Sequence, residues 1–171
     1  MNEPGPSIIN IAVDIAVESP LWAAFDAAPA LAKTAIAAAL RCADAKLRPD
    51  AEISLLFCDD EFIRGLNQRW RGQDKSTNVL SFPAADPAAT PILGDIAIAF
   101  ETMAREAADE GKSLAAHFSH LIVHGLLHLL GHDHQNATDA EVMEALERES
   151  LATLGIKDPY RLALVDSAGV P

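Results

Sequence analysis

The segment from Ser113 to His132 constrains the fold of this chain more than any other segment. Its twenty residues include no Asp, Glu, Lys or Arg, so it is long enough to cross a bilayer. Five of the twenty are histidines, however, and ionisable side chains inside a membrane are costly. The segment is therefore predicted to form a buried helix of a soluble protein.

The histidines of this helix recur at four-residue spacing, which places them on one face. His124 and His128 lie one turn apart, about 6 Å along the axis, so both imidazoles can converge on one metal ion. Gly131 can end the helix in the left-handed conformation, and the chain can then fold back to bring His134 to the same ion. Three neutral nitrogens with an open fourth position are typical of a catalytic zinc site, although nickel, copper or cobalt also suits three imidazoles.

A stripe of structural histidines is the alternative interpretation of this spacing. Burial of several imidazoles without a metal or a partner would cost several kcal/mol in desolvation or in pKa shift, so metal binding is favoured. The other polar residues of the segment are expected to support the ligands or the turn, and these are His117, His120, His132 and Asp133.

The pattern H-x-x-x-H-x-x-G-x-x-H is also that of the metzincin peptidases. In such peptidases a glutamate follows the first histidine and acts as the general base. This chain has Gly125 at that position, so it keeps the spacing of the ligands and lacks the base. The absence of the glutamate counts against proteolysis.

Charge provides a second, weaker signal. The net charge of −12 and the pI of about 4.7 argue against a general nucleic-acid coat protein. Four of the thirteen basic residues nevertheless lie within twelve positions, and these are Arg64, Arg69, Arg71 and Lys75. Such a local excess suits a phosphate-bearing partner, and a solvated helix end is equally compatible with the charge alone.

The order of the predicted elements indicates an α+β fold. Predicted strands cover residues 8–17, 52–58, 79–82 and 94–100. Predicted helices cover residues 29–47, 59–70, 101–112, 113–131 and 138–155, with a helical turn after Ser19 and a capping box that begins at Thr138. We expect a small mixed sheet of about four strands packed with about five helices, and the order of the strands stays open. The length suits a single domain, residues 1–171.

The cysteines and the amino terminus favour the cytoplasm. Cys42 and Cys58 have neither the number nor the spacing of a disulfide scaffold or a metal site, and both are predicted to be buried thiols in a reducing compartment. The first residues lack the basic segment of a signal peptide.

Three segments, taken in order, resemble the YbeY family. They are RGQDKSTNVLSFP at 71–83, LGDIAIAF at 93–100 and HGLLHLLGHDH at 124–134. YbeY proteins are bacterial metal-dependent endoribonucleases of rRNA maturation and ribosome quality control. The resemblance is strongest over residues 52–160, and the first 50 residues fit only in outline. It implies a small sheet packed with helices around a zincin-like metal site.

The resemblance also implies roles for individual residues. One Zn²⁺ ion is expected to be held by His124, His128 and His134. The functional arginine of the family falls on Arg71, which is expected to be catalytic and to bind the scissile phosphate. At the position where many members have Tyr this chain has His132, which leaves the spacing of the ligands intact. The group that accepts the proton stays unidentified.

The function implied by the resemblance is single-strand-specific, metal-dependent cleavage of RNA in maturation of the 16S 3′ end and in ribosome quality control. The expected partners are rRNA and ribosomal particles, together with ribosomal or assembly-factor proteins, and neither DNA nor a membrane is expected. Two alternatives stay open. One is a zinc metallopeptidase, and the other is a non-catalytic ribosome assembly factor whose metal is structural.

Overall fold

The computed structural model describes residues 11–85 and 90–160. Its strands are β1 (Ala12–Val17), β2 (Glu52–Cys58), β3 (Val79–Pro83) and β4 (Ile92–Ala99). Its helices are α1 (Ala28–Cys42), α2 (Asp60–Arg71), α3 (Phe100–Asp109), α4 (Leu114–Leu129) and α5 (Ala137–Thr153), with a 3-10 turn at Pro20–Ala24. Over the described residues, the four strands and five α-helices confirm the predicted α+β fold.

The four strands form one mixed sheet in the order β1-β2-β4-β3. β1, β2 and β4 are parallel to one another, whereas β3 pairs antiparallel with β4 and lies at the edge. β3 and β4 approach each other closely at Gly94, which has a φ of 147°. A Cβ atom there would lie 2.3 Å from the carbonyl oxygen of Phe82, so only glycine fits this pairing.

The two faces of the sheet bury different side chains, because successive residues of a strand point to opposite faces. In β4, Ile96 and Ile98 belong to the large core that contains residues of α1, α4 and α5. Ala97 and Ala99 belong to a smaller cluster that contains Ile63 of α2. α2 therefore covers one face of the sheet, and α1, α4 and α5 cover the other.

α4 is the predicted histidine helix, and it runs through the large core. Its first turn is capped as predicted, because the side-chain oxygen of Ser113 accepts a hydrogen bond from the amide of Ala116 at 3.1 Å. Phe118 packs edge-on against Trp22 and Phe57, which stack on each other with centroids 4.4 Å apart. Within residues 11–85 and 90–160, no helix combines the length and the apolar character that a membrane span requires.

The predicted end of α1 at residue 47 is wrong, because the helix ends at Cys42. Asp44 takes the left-handed conformation with a φ of 48°. The amide of Ala45 then donates to the carbonyl oxygen of Leu40, and the amide of Asp44 donates to the carbonyl oxygen of Arg41. This is a Schellman ending, which glycine usually provides, so the aspartate concealed it from the sequence pattern.

Two further local predictions need correction, and the range of a third lies partly outside the described residues. α5 begins at Ala137 because Asn136, rather than Thr138, caps it by accepting from the amide of Asp139 at 2.9 Å. Cys42 is partly exposed, whereas Cys58 is a buried free thiol as predicted. The first strand is observed from Ala12, and residues 8–10 of its predicted range lie outside the described part of the chain.

Candidate metal centre

The structure brings together the three histidines that the sequence pattern selects. His124 and His128 lie one turn apart on α4, and Gly131, with a φ of 96°, reverses the chain toward His134. One nitrogen from each of the three imidazoles lies within 4.8 Å of the others. This is the one group of three or more histidine, cysteine or acidic side chains in the described residues that meets the spacing of a metal site.

The distances within this histidine cluster fit a transition-metal ion. The Nε2 atoms of His124 and His128 are 3.2 Å apart. Two nitrogens that each bind zinc at about 2.0–2.1 Å in tetrahedral geometry are separated by about 3.3 Å. His134 lies against both partners, with ring centroids 5.7 Å from His124 and 5.2 Å from His128. The cluster can therefore hold one metal ion.

A buried glutamate determines which nitrogen of His124 is free. Glu147 of α5 is 1% exposed, and its Oε1 lies 2.7 Å from the Nδ1 of His124. Because an ionised carboxylate can only accept, Nδ1 carries the proton and Nε2 keeps its lone pair. That lone pair points toward the Nε2 of His128. This carboxylate–histidine arrangement is the one that orients metal ligands in proteins.

Glu147 is also the acceptor for two further side chains. Its Oε2 accepts from the Nε2 of His120 at 2.8 Å and from the hydroxyl of Tyr160. Burial alone would raise the pKa of Glu147, but these hydrogen bonds and the one from His124 outweigh burial and hold the pKa below that of an ordinary glutamate. The glutamate therefore stays ionised in the core, where a protonated carboxyl would have to donate to one of its partners.

Sequence reasoning missed Glu147 and Tyr160. The glutamate lies on the same buried stripe of α5 as Met143, Ser150 and Leu151, and an acidic residue in such a stripe is the signal that was available. Tyr160 carries no comparable signal. Its contact with Glu147 exists only because the chain beyond α5 returns to the side of α4.

His128 lies in an environment that favours its neutral form. Burial, and then the proximity of His124 and His134, lower the pKa of His128 below that of an ordinary imidazole. A neutral imidazole is the form that binds a metal. The local electrostatics therefore agree with the distances.

The other polar residues of the motif have contacts of their own outside the set of three histidines. His117 is buried on α4 and bonds through Nε2 to Glu106 of α3 at 3.0 Å. His132 is half-buried and lines a different cavity, beside Leu47 and Leu129. Asp133 accepts a hydrogen bond from the backbone amide of His134 at 2.7 Å, which braces the turn that brings His134 to the cluster.

Gly125 faces the sheet rather than the cleft. A Cβ atom at this position would lie 3.0 Å from a methyl group of Ile96 and 3.1 Å from the hydroxyl of Ser81. That hydroxyl donates to the carbonyl oxygen of Gly125 itself at 3.0 Å. A side chain at this position is crowded from its first atom and is directed at the sheet, so a glutamate here would not reach the cleft without displacing Ile96 or Ser81.

Arg71 reaches the same cleft as the histidines. It is the last residue of α2, and Gly72, with a φ of 68°, ends the helix. The Nη2 of Arg71 donates to the carbonyl oxygen of Ser81, on the edge strand β3, at 3.3 Å. Arg71, Ser81 and the three histidines line one cleft of about 500 Å³, together with Thr77, Asn78, Val79, Asp133 and Gln135.

The remaining basic residues of the arginine segment do not line this cleft. Arg64 forms an exposed ion pair with Asp74, with Nε and Oδ1 2.7 Å apart. Arg69 lies over the ring of Trp70, 5.8 Å from its centroid. Among the described residues of the cleft wall, Arg71 is therefore the arginine or lysine that faces the histidine cluster.

Comparisons with known proteins find one family over most of the chain. The family model described as Endoribonuclease YbeY matches residues 24–155. A curated relative from Methylocella silvestris, named Endoribonuclease YbeY, is 55% identical over 162 residues, which cover 93% of this chain and 92% of the relative. Another of the same name, from Rhodopseudomonas palustris, is 49% identical over 160 residues, covering 90% and 92%.

A solved structure has a similar fold. The solution structure of TM1509 from Thermotoga maritima superposes with a TM-score of 0.51 at 20% sequence identity. The match covers 86% of this chain and 98% of the other. At this level of identity, the likeness concerns the fold alone.

Proposed function

Because the chain belongs to the YbeY endoribonuclease family, we propose that the cleft lined by Arg71 and the three histidines is the site at which it cleaves RNA. Membership of the family makes the protein an RNA-cleaving hydrolase of rRNA processing. The observation that carries the proposal is the presence of one arginine and three clustered imidazoles on the walls of a single cleft.

The three histidines of the proposal hold one Zn²⁺ ion, through the Nε2 atoms of His124 and His128 and a ring nitrogen of His134. When bound, zinc supplies a Lewis acid that polarises a phosphoryl oxygen or lowers the pKa of a water molecule. Glu147 keeps His124 in the tautomer that leaves Nε2 available. The neutral form of His128 needs no proton to be displaced before it binds.

Arg71 binds the scissile phosphate in this proposal. A guanidinium has five N–H donors, and the one described hydrogen bond of Arg71 uses a donor of Nη2 for the carbonyl of Ser81. The remaining donors can bind the oxygens of a phosphate and stabilise the negative charge that develops on them in the transition state. The bond to Ser81 meanwhile holds the side chain against the edge strand.

The possible routes of cleavage differ in the group that attacks the phosphorus. Gly125 offers no carboxylate to accept a proton, whereas Asp133 lines the cleft and keeps acceptor capacity beside its one described hydrogen bond, from the amide of His134. Attack by the 2′-hydroxyl of the RNA would leave a 2′,3′-cyclic phosphate, whereas attack by water would leave a linear phosphate. Analysis of the product ends distinguishes the two routes.

We further propose that the substrate is single-stranded rRNA, that maturation of the 16S 3′ end and ribosome quality control are the processes served, and that the protein acts in the cytoplasm. A chain of net charge −12 gains little from a phosphate backbone in general. Ribosomal particles and their proteins therefore supply much of the affinity.

The test is a cleavage assay on a short single-stranded rRNA fragment, with the metal content measured on the same samples. We expect wild type to hold about one metal ion and to cut. His128→Ala loses both the metal and cleavage. Arg71→Ala keeps the metal and cuts roughly 10²–10³-fold more slowly, as when one charge-stabilising donor is removed from other active sites.

Arg41→Ala is the matched control, because Arg41 is an exposed arginine in the last turn of α1. It should cut at the wild-type rate. If wild type, His128→Ala and Arg71→Ala all cut equally, the activity is a contaminant and the proposed site is wrong. The non-catalytic assembly factor would then be the better description.

A further inference from the structure

Trp70 leaves most of its side chain exposed within the described part of the chain. Its exposed fraction is 65%, the highest among the large hydrophobic side chains of the described residues. The other tryptophan, Trp22, is 4% exposed and lies in an aromatic cluster. An indole is normally buried over most of its surface, so one left in solvent at the end of a helix points to a binding partner.

The groups around Trp70 suit a nucleobase and a phosphate. The guanidinium of Arg69 lies 5.8 Å from the centroid of the indole ring. Phe82 of β3 meets the indole at an interplanar angle of 63°, with centroids 6.4 Å apart, so it supports the indole without stacking on it. An aromatic face beside a guanidinium is the combination that proteins use to bind unpaired bases.

The position of Trp70 connects it with the candidate metal centre. Trp70 and Arg71 are consecutive at the end of α2, and they contact consecutive residues of the edge strand. Arg71 bonds to the backbone carbonyl of Ser81 in the cleft, whereas Trp70 packs against the side chain of Phe82, the next residue, which points to the α2 side of the sheet. Because β3 is the edge strand, a polynucleotide that places a phosphate on Arg71 can pass over this edge and bring a neighbouring nucleotide to the indole.

We propose that Trp70 and Arg69 form a stacking platform for an unpaired base of the RNA next to the phosphate held by Arg71. The proposal rests on the proposed function and deepens it by giving a physical source for single-strand preference. In the interior of a duplex each base is covered on both faces by its stacked neighbours, so neither face can pack on an indole. Stacking also provides affinity that depends little on charge, which suits an acidic chain.

Tryptophan fluorescence tests the platform directly, because the chain has only two tryptophans and one is buried. The probe is a six-nucleotide, mixed-sequence RNA with 2′-O-methyl groups, added to the full-length, metal-loaded protein. We expect it to quench the emission of Trp70. Trp70→Ala should remove the quenching and weaken binding by about 10-fold to 100-fold, the range observed for loss of one base–aromatic stack.

Controls separate stacking from a general effect on the protein. Trp70→Phe keeps an aromatic face, so it should bind within a few-fold of wild type. Val142→Ala removes another exposed hydrophobic side chain, on α5, and should bind as wild type does. Trp70→Ala should keep the wild-type metal content and unfolding temperature, because the indole is mostly in solvent.

Several results would overturn the platform. Unchanged affinity in Trp70→Ala would do so, as would equal quenching, at the same nucleotide concentration, by a long duplex whose terminal base pairs are a small fraction of its bases. A third such result is that Trp70→Ala binds the RNA normally but no longer co-sediments with ribosomal particles. Trp70 would then contact a protein rather than a base. Quenching without any cleavage by wild type would instead contradict the proposed function and leave the platform standing.

Discussion

The two sides of the cleft are built in opposite ways. On the α4 side, His124 is fixed by a glutamate that is 1% exposed and that accepts hydrogen bonds from three side chains. On the α2 side, Arg71 is exposed and has one described hydrogen bond, to a backbone carbonyl. The histidine side is therefore pre-organised by burial, whereas the arginine side can adjust to its ligand. This difference suits a rigid metal site that faces a flexible substrate.

Removal of the metal with a chelator should have the largest effect on function. We expect cleavage to stop while the far-UV circular dichroism stays unchanged, because α4, Glu147 and the large core hold the histidine side together without an ion. The unfolding temperature should fall by roughly 5–10 °C, as for loss of a ligand present at about 100 times its Kd. Unfolding on chelation would show that the metal is structural and that the histidine side is not pre-organised.

Gly125→Glu tests the packing under the histidine side. The substitution creates the peptidase motif, but it pushes a charged side chain against Ile96 and Ser81. We expect the free energy of unfolding to fall by about 3 kcal/mol or more, with no peptidase activity gained. Gly65→Glu is the matched control, because this helical glycine of α2 has no atom within 4 Å of a Cβ and should change stability by less than about 1 kcal/mol. Equal stability of the two variants would contradict the packing argument.

Glu147→Gln tests whether the carboxylate that accepts from the Nδ1 of His124 supports metal binding. The amide has one acceptor oxygen and one donor group, so it cannot accept from all three partners of the carboxylate. Metal affinity, measured by competition with a chromophoric chelator, should weaken by about 10-fold to 100-fold.

Glu144→Gln is the matched control for Glu147→Gln, because Glu144 lies on the same helix but pairs with Arg148. It should bind the metal with wild-type affinity. An equal loss in both variants would mean that helix charge, rather than the bond to His124, supports the metal.

Asp74→Asn should have the smallest effect, because it acts on the exposed side. Asp74 lies in the loop that follows Arg71 and pairs with Arg64 of α2. The hydrogen bond from Arg64 lowers the pKa of the Asp74 carboxyl. Because this pKa is lowered, the carboxylate of Asp74 stays ionised to a pH below the ordinary pKa of an aspartate. The ion pair is therefore intact throughout pH 6–8 and is lost only in acid. We expect cleavage to slow by less than about threefold, equally at pH 6 and pH 8. A larger or pH-dependent loss would mean that the arginine side is more rigid than its exposure suggests.

Local patterns predicted most of the elements but not their assembly. Helix periodicity and the capping Ser113 locate α4, and a positive φ at Gly155 follows α5 where the sequence predicts its end. Asp44 concealed the end of α1, because it adopts a conformation that usually indicates glycine. The order β1-β2-β4-β3 depends on hydrogen bonds between distant segments, which no local pattern encodes.

The approach of His124, His128 and His134 follows from the sequence, because helix geometry and one left-handed glycine relate residues that are close along the chain. The free nitrogen of His124 and the arginine that reaches the cleft depend instead on contacts between distant elements. Glu147 is 23 residues from His124, and Arg71 meets Ser81 across ten residues and the edge of a sheet. Such contacts are set by how α5 and α2 pack, and packing depends on the shape of the whole core rather than on neighbouring residues.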